Sequence, residues 1–222
     1  MNISMDYVLE KLEVLLKTPS PTGNTEKAIQ FVENEFKSLG ILTSRNKKGA
    51  LIATIEGNNK NKEITLSGHV DTLGGMVKEI KGNGKLKITQ LGGYVWNTIE
   101  GEHVEIETLE GNTYTGTIMT TKASSHVHGE ETKTIERNMA NMEIRIDEVV
   151  NNAEDVENLG INVGDFVSFD PRTIFTKSGF IKSRHLDDKA GVVALLGIAK
   201  YLVDNNIKPE YTTNFFISNY EE

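Results

Sequence analysis

Three short stretches of this 222-residue chain carry side chains that could act together on a metal ion. In Ser67-Gly68-His69-Val70-Asp71, His69 can ligate through a ring nitrogen. Asp71, two residues along and on the same side of an extended chain, can hold the ring's orientation. Asp187 and Asp188 stand just before an apolar helical pattern. Asp187 could place one oxygen on each of two ions, which in such paired sites lie roughly 3.5–4 Å apart and clamp the attacking and leaving oxygens. Glu221 and Glu222 follow a β-rich run. Adjacent side chains at a strand end point apart, so one can serve as general base for a water while the other ligates. Taken singly, each stretch has a plainer explanation. A His-x-Asp is often a hydrogen-bonded pair, an Asp-Asp before a helix caps it and suits its dipole, and a Glu-Glu is often a solvated tail. Their order, each beside a strand or a helix start, points to a metal-assisted hydrolase.

The elements that must position these residues are legible from periodicity. Apolar residues Val8, Leu9, Leu12, Leu15 and Leu16 predict a helix over 5–17, ended by Pro19 and Pro21. A second helix is expected to start from an Asn24 N-cap, bury Ala28, Ile29, Phe31, Val32 and Phe36, and stop at Gly40. Strands are expected over 51–55 and 64–67, separated by a charged turn over 57–62, so that His69 and Asp71 leave the C-terminal end of the second. That edge is where ligands collect in open α/β sheets.

From residue 72 to 171 the texture changes to short alternating strands broken by glycine, with turns at Gly82-Asn83-Gly84 and Gly111-Asn112 and a short helix near 153–158. A hairpin over 173–182, a nearly all-apolar helix from Val192 to Val203, and a strand over 211–218 then resume the earlier style. The expected fold class is therefore α/β: a mixed-sheet domain formed by residues 1–71 and 172–222, interrupted by a small β-rich, barrel-like insertion over 72–171.

Composition narrows the partners. A net charge of -8 argues against nucleic acid. The chain has no cysteine, so thiolate sites and disulfides are excluded and any metal must be held by carboxylate, imidazole or water. No apolar run approaches the roughly 20 residues that span a bilayer. The first residues show no basic stretch followed by an apolar core, so the expected location is cytoplasmic.

With those motifs placed, the chain resembles the M42 family of metallo-aminopeptidases, which includes glutamyl and deblocking aminopeptidases and forms large self-compartmentalised assemblies. The likeness runs along essentially the whole chain. It includes the run from Pro19 to Gly23, the His69 motif, Gly92-Gly93-Tyr94, Gly116-Thr117-Ile118, the run from Val163 to Val167, and the run from Leu186 to Gly191. The resemblance implies His69 as a metal ligand, Asp71 as its catalytic assistant, and Asp187 as the bridge between two divalent ions, zinc or cobalt. It further implies a cis bond from Asp187 to Asp188, Glu221 as the base and Glu222 as a ligand. Thr72 stands where the family usually has Glu, and Lys189 where it usually has Arg; tuning rather than loss is expected. The family also uses a further Asp and a further His beyond the Glu-Glu pair, so His69, Asp187 and Glu222 would be three of five ligands and the α/β domain is read as incomplete.

The implied activity is removal of N-terminal residues from peptides, and the β-rich insertion is expected to mediate self-association into a dimer-based assembly. A related carboxypeptidase or deacylase is the near alternative, but such relatives place their extra domain after Glu-Glu, whereas here it precedes Asp187. An endoglucanase is disfavoured by a single tryptophan, Trp96. A non-catalytic, self-associating scaffold is the alternative of another class. Among the other histidines, His103 is expected at the surface or in packing, and His185 either supports the site or faces solvent. His126 and His128 could chelate a metal if their segment were a strand, which would put both rings on one face, and otherwise belong to a polar connection or a subunit contact.

Overall fold

A computed structural model describes residues 3–222. The expectation of no leader peptide rests partly on residues 1 and 2, which lie outside the described residues. Helix α1, Met5–Lys17, begins where Ser4 accepts the Tyr7 N–H, and it buries Leu12, Leu15 and Leu16. Helix α2, Glu26–Ser38, buries Ala28, Ile29, Val32 and Phe36. Asn24 does not cap it. Its N–H closes a turn onto the Pro21 carbonyl at 2.8 Å, and Thr25 takes the cap position.

Strands β1 (Leu42–Arg45), β2 (Leu51–Ile55) and β3 (Asn59–His69) follow. Strand β3 begins where a turn was expected. Polar side chains over 59–63 hid it, because the pairing is made by main chain: the Asn59 N–H reaches the Glu210 carbonyl at 2.8 Å. Next come β4 (Gly74–Ile80), β5 (Leu86–Leu91), β6 (His103–Glu107) and β7 (Thr113–Thr120), then one-turn helices α3 (Ser125–His128) and α4 (Glu131–Thr134). Strand β8 (Met142–Ile146), helix α5 (Ala153–Asn158) and strand β9 (Phe166–Phe169) complete this stretch. The chain ends with the two-stranded hairpin β10 (Ile174–Phe175) and β11 (Ile181–Lys182), helix α6 (Leu186–Asp204) and strand β12 (Tyr211–Ser218).

These elements divide into two units: residues up to Thr72 with Pro171–Glu221, and Leu73–Asp170 with Glu222. In the first unit a mixed sheet runs β1-β2-β12-β3, with β12 antiparallel to β2 and parallel to β3. Alternation on β12 turns Thr213, Phe215 and Ile217 inward. They meet Val192, Val193, Leu196 and Ala199 of α6 and the buried faces of α1 and α2, with the Phe36 and Phe215 rings 5.6 Å apart. Burying each such side chain is worth about 1.5–3 kcal/mol, which is why α6 tolerates so little polarity.

The second unit is a closed barrel in the order β4-β5-β8-β7-β6-β9. Its interior is filled by Val77, Ile88, Val104, Ile106, Ile118, Ile144 and Val167, one from every second position along each strand. Glu143, almost fully buried, accepts from Lys81 and from Lys85, the latter at 2.5 Å. No helix among the described residues is long and apolar enough to cross a membrane.

Candidate functional site

The parallel pairing of β3 and β12 sets up the site. His69 lies opposite Ser218, so the two strands end side by side and the residues just beyond them share one edge. The Val70 N–H reaches the Ser218 carbonyl at 3.0 Å, and one turn further the Glu221 N–H reaches the Asp71 carboxylate at 2.9 Å.

His69 is buried, with Nδ1 3.1 Å from the Asp71 carbonyl. A carbonyl can only accept, so the proton is assigned to Nδ1 and the lone pair to Nε2. Nε2 faces Asp187 Oδ1 at 3.3 Å and Glu221 Oε2 at 3.5 Å. An imidazole lone pair and two carboxylate oxygens are all acceptors, and a cation is what satisfies three acceptors turned towards one another. The Asp187 side chain is 88% exposed and that of Glu221 61%, so both retain free directions for ligation. Oxygen and imidazole donors suit a divalent ion such as zinc or cobalt. Among the described residues no group of three or more His, Cys, Asp or Glu side chains is placed to hold a metal ion by itself.

Asp71 is wholly buried. Its Oδ2 accepts from Thr22 Oγ1 and from the Glu221 N–H, both at 2.9 Å, while Oδ1 lies 3.6 Å from His69 Nδ1. One carboxylate thus touches the imidazole and the main chain of the glutamate that faces it.

The peptide bond between Asp187 and Asp188 is cis. Neither residue has helical dihedrals, and the regular part of α6 starts after Asp188. Asp188 is the cap: its Oδ1 accepts the Gly191 N–H at 3.1 Å. The pair therefore divides its work, the second carboxylate holding the helix start while the first stands exposed beside His69. Two glycines make room for this. A Cβ at Gly191 would lie 2.2 Å from Asp188 Oδ1, and one at Gly68 would lie 3.1 Å from Asp188 Oδ2 and 3.2 Å from Val192 Cγ2. Strand β3 and helix α6 thus approach across the Asp188 carboxylate because neither has a side chain there.

Lys189 is completely buried and donates to the carbonyls of Leu15 at 2.9 Å and Thr18 at 2.7 Å, the last acceptors of α1. Burial pushes its ammonium pKa down to about 7. Nothing in the sequence marked this lysine as interior, since a charge at a helix start ordinarily faces water.

Glu222 groups with the second unit, where its carboxylate lies alongside Gly92. His185 is buried at 5% exposure, which removes the solvent-facing alternative. His126 lies exposed and His128 half-buried in the one-turn helix α3. Side chains two apart on a helix diverge, so the shared face of a strand does not form. His103 is exposed at the start of β6. Thr22 is the contact that sequence reasoning missed; it sits in the run after Pro19, but only the tertiary fold shows what its hydroxyl reaches.

Known proteins resemble this chain on both levels. The model of the M42 glutamyl aminopeptidase family matches residues 49–222. A protein of Bacillus subtilis (strain 168) named "Putative aminopeptidase YhfE" is 52% identical over 219 residues, covering 99% of this chain and 63% of that protein. The chain thus spans less than two thirds of that relative's length. The fold is shared with the TET aminopeptidase of the marine sediment archaeon Thaumarchaeota archaeon SCGC AB-539-E09 at TM-score 0.86 and 23% identity, over 97% of this chain and 59% of that one. It is shared too with the TET1 peptidase of Pyrococcus horikoshii at TM-score 0.81 and 24% identity, over 96% of this chain and 61% of that one. That peptidase is described as assembling into a tetrahedron or a large octahedral shell.

Proposed function

The chain belongs to the M42 glutamyl aminopeptidase family, and we propose that the protein carrying it is a metal-dependent aminopeptidase that releases N-terminal residues from peptides. The observation that supports this is the facing of His69 Nε2 by Asp187 and Glu221 at 3.3 and 3.5 Å. In this reading His69, Asp187 and Glu222 would hold the divalent ions, zinc or cobalt. When bound, such ions polarise the scissile carbonyl and lower the pKa of a water.

The chain's own residues do the rest. Asp71 fixes the His69 ring through its main-chain carbonyl and holds the Glu221 main chain in place through its carboxylate. The Glu221 carboxylate, more than half exposed, takes a proton from the attacking water and returns it to the departing amine. The barrel supplies the surface for self-association, a role suggested by the assemblies of the TET relatives. A cytoplasmic location and peptide substrates belong to the same proposal.

The test uses the full-length protein. Chelator-treated protein is reloaded with zinc or cobalt, its metal content is measured, and release of N-terminal residues from unblocked peptides is assayed. Metal uptake with turnover is expected. Failure to cleave any unblocked peptide while metal is bound would overturn the peptidase reading, and assembly with neither binding nor turnover would favour a scaffold.

A further inference from the structure

The segment between α1 and α2 makes more contacts with the site edge than a connection requires. Lys189 holds its start through the Leu15 and Thr18 carbonyls. Ser20, fully buried, donates its hydroxyl to the Val70 carbonyl at 2.7 Å. Main-chain bonds from Thr72 N–H to Ser20 O at 2.9 Å and from Thr22 N–H to Thr72 O at 3.2 Å lay the segment along residues 70–72, and Pro21 bridges Thr72 in the parallel sense. Thr22 reaches a side chain of the site edge: its hydroxyl donates to Asp71 Oδ2 at 2.9 Å.

That oxygen already receives the Glu221 N–H. Two donors on Oδ2 fix the rotation of the carboxylate about its Cβ–Cγ bond; the His69 ring itself is held by the Asp71 main-chain carbonyl, 3.1 Å from Nδ1, while Oδ1 stands 3.6 Å away. Hydrogen bonds to an ionised oxygen are about twice as strong as neutral ones. Thr22 is one donor among few on a wholly buried carboxylate.

We propose that Thr22 is a positioning residue for the metal site: acting through the Asp71 carboxylate, its hydroxyl sets the position of the Glu221 main chain and so of the carboxylate that faces His69. This rests on the reading of His69 as a ligand. Thr22 touches neither His69 nor Asp187 by any hydrogen bond described, so its effect must pass through Asp71.

The experiment is a double-mutant cycle in the full-length protein, read by zinc affinity of the chelator-treated protein in competition with a chromogenic chelator, and separately by kcat and KM on an amino-acid anilide. Thr22→Val, which keeps the shape and removes the donor, should weaken zinc binding about tenfold, as loss of outer-sphere support does. It should lower kcat by a similar factor with KM held within about twofold. Thr22→Ser should restore both, and Thr22→Ala should repeat the loss if the valine variant folds poorly. In an Asp71→Ala background, Thr22→Val should add nothing. Wild-type affinity in Thr22→Val, or an equal loss with and without Asp71, overturns the inference. Zinc binding that depends on Thr22 in a protein that cleaves no peptide leaves the inference standing and removes the peptidase reading. A wild-type protein that binds no zinc removes both.

Discussion

Gly191→Ala separates ordinary helix propensity from the packing of the site. Within a helix, replacing Gly by Ala ordinarily stabilises by about 1 kcal/mol. Here the new Cβ would stand 2.2 Å from Asp188 Oδ1 and 2.7 Å from its Cγ and Oδ2, well inside contact. Asp188 must swing out, giving up the 3.1 Å bond from the Gly191 N–H. Losing an N-cap costs about 0.5–2 kcal/mol, so the expected gain is at least halved and can be reversed. The variant should therefore lie between about 0.5 kcal/mol more stable and about 1 kcal/mol less stable than wild type. Metal binding should suffer more, because Asp187 is bonded to the residue that moves. A displacement of about 1 Å in a reacting constellation can cost about a hundredfold in rate. Urea unfolding of the metal-free protein gives the first quantity and competitive zinc titration the second. A variant about 1 kcal/mol more stable than wild type, with unaltered zinc affinity, would refute the packing argument.

Asp187→Asn should lower kcat/KM by at least about a hundredfold and release metal on dialysis, measured by elemental analysis, because the exposed carboxylate beside His69 loses its charge. Lys189→Ala should destabilise by about 2 kcal/mol in thermal unfolding, since it takes a donor from the Thr18 carbonyl and one of two donors from the Leu15 carbonyl, and opens a cavity while sparing the cost of an interior ammonium. In the barrel, burial opposes ionisation of Glu143, but Lys81 and Lys85 outweigh it and hold the carboxyl below its ordinary 4.5. A carboxyl with a lower pKa folded than unfolded contributes stability above pH 4.5 and loses it as the pH falls through the folded value. Glu143→Gln should flatten that acid slope in unfolding curves from pH 7 to about 3, and cost about 2 kcal/mol at neutral pH, a discounted figure because Lys81 and Lys85 are 22% and 31% exposed.

What could be read in advance was whatever repeats or sits next to itself in the chain. Helix α1 announced itself through Leu12, Leu15 and Leu16 at helical spacing, and the hairpin around Lys177-Ser178-Gly179 through turn residues between two apolar runs. The chemical grammar of His69 and Asp187 was legible for the same reason. Contacts between distant residues leave no such trace. Thr22 and Asp71 are 49 residues apart, and Lys189 and Leu15 are 174 apart. The first half of β3 pairs through its backbone, which every sequence possesses, so charged side chains there gave the appearance of a turn. Lys189 was misleading in the opposite sense, as a cation whose partners are carbonyls and carry no residue identity.

The register of β12 against β3 governs the site more than any one side chain does. Ser218 opposite His69 is what carries Glu221 to within 3.5 Å of Nε2. Because a one-residue slip turns every side chain to the other face, the nearest register that keeps Phe215 and Ile217 buried is two residues away, a shift of about 6.6 Å. That would take Glu221 out of reach of His69. Beyond the end of β12 the Glu221 N–H donates to the Asp71 carboxylate, so Asp71 both holds the imidazole through its carbonyl and latches the register through its side chain. Substituting Asp71 alone therefore confounds two losses. Thr22 lies outside both strands and contacts Asp71 without contacting β12, so its removal disturbs the orientation of the carboxylate while the strand pairing remains.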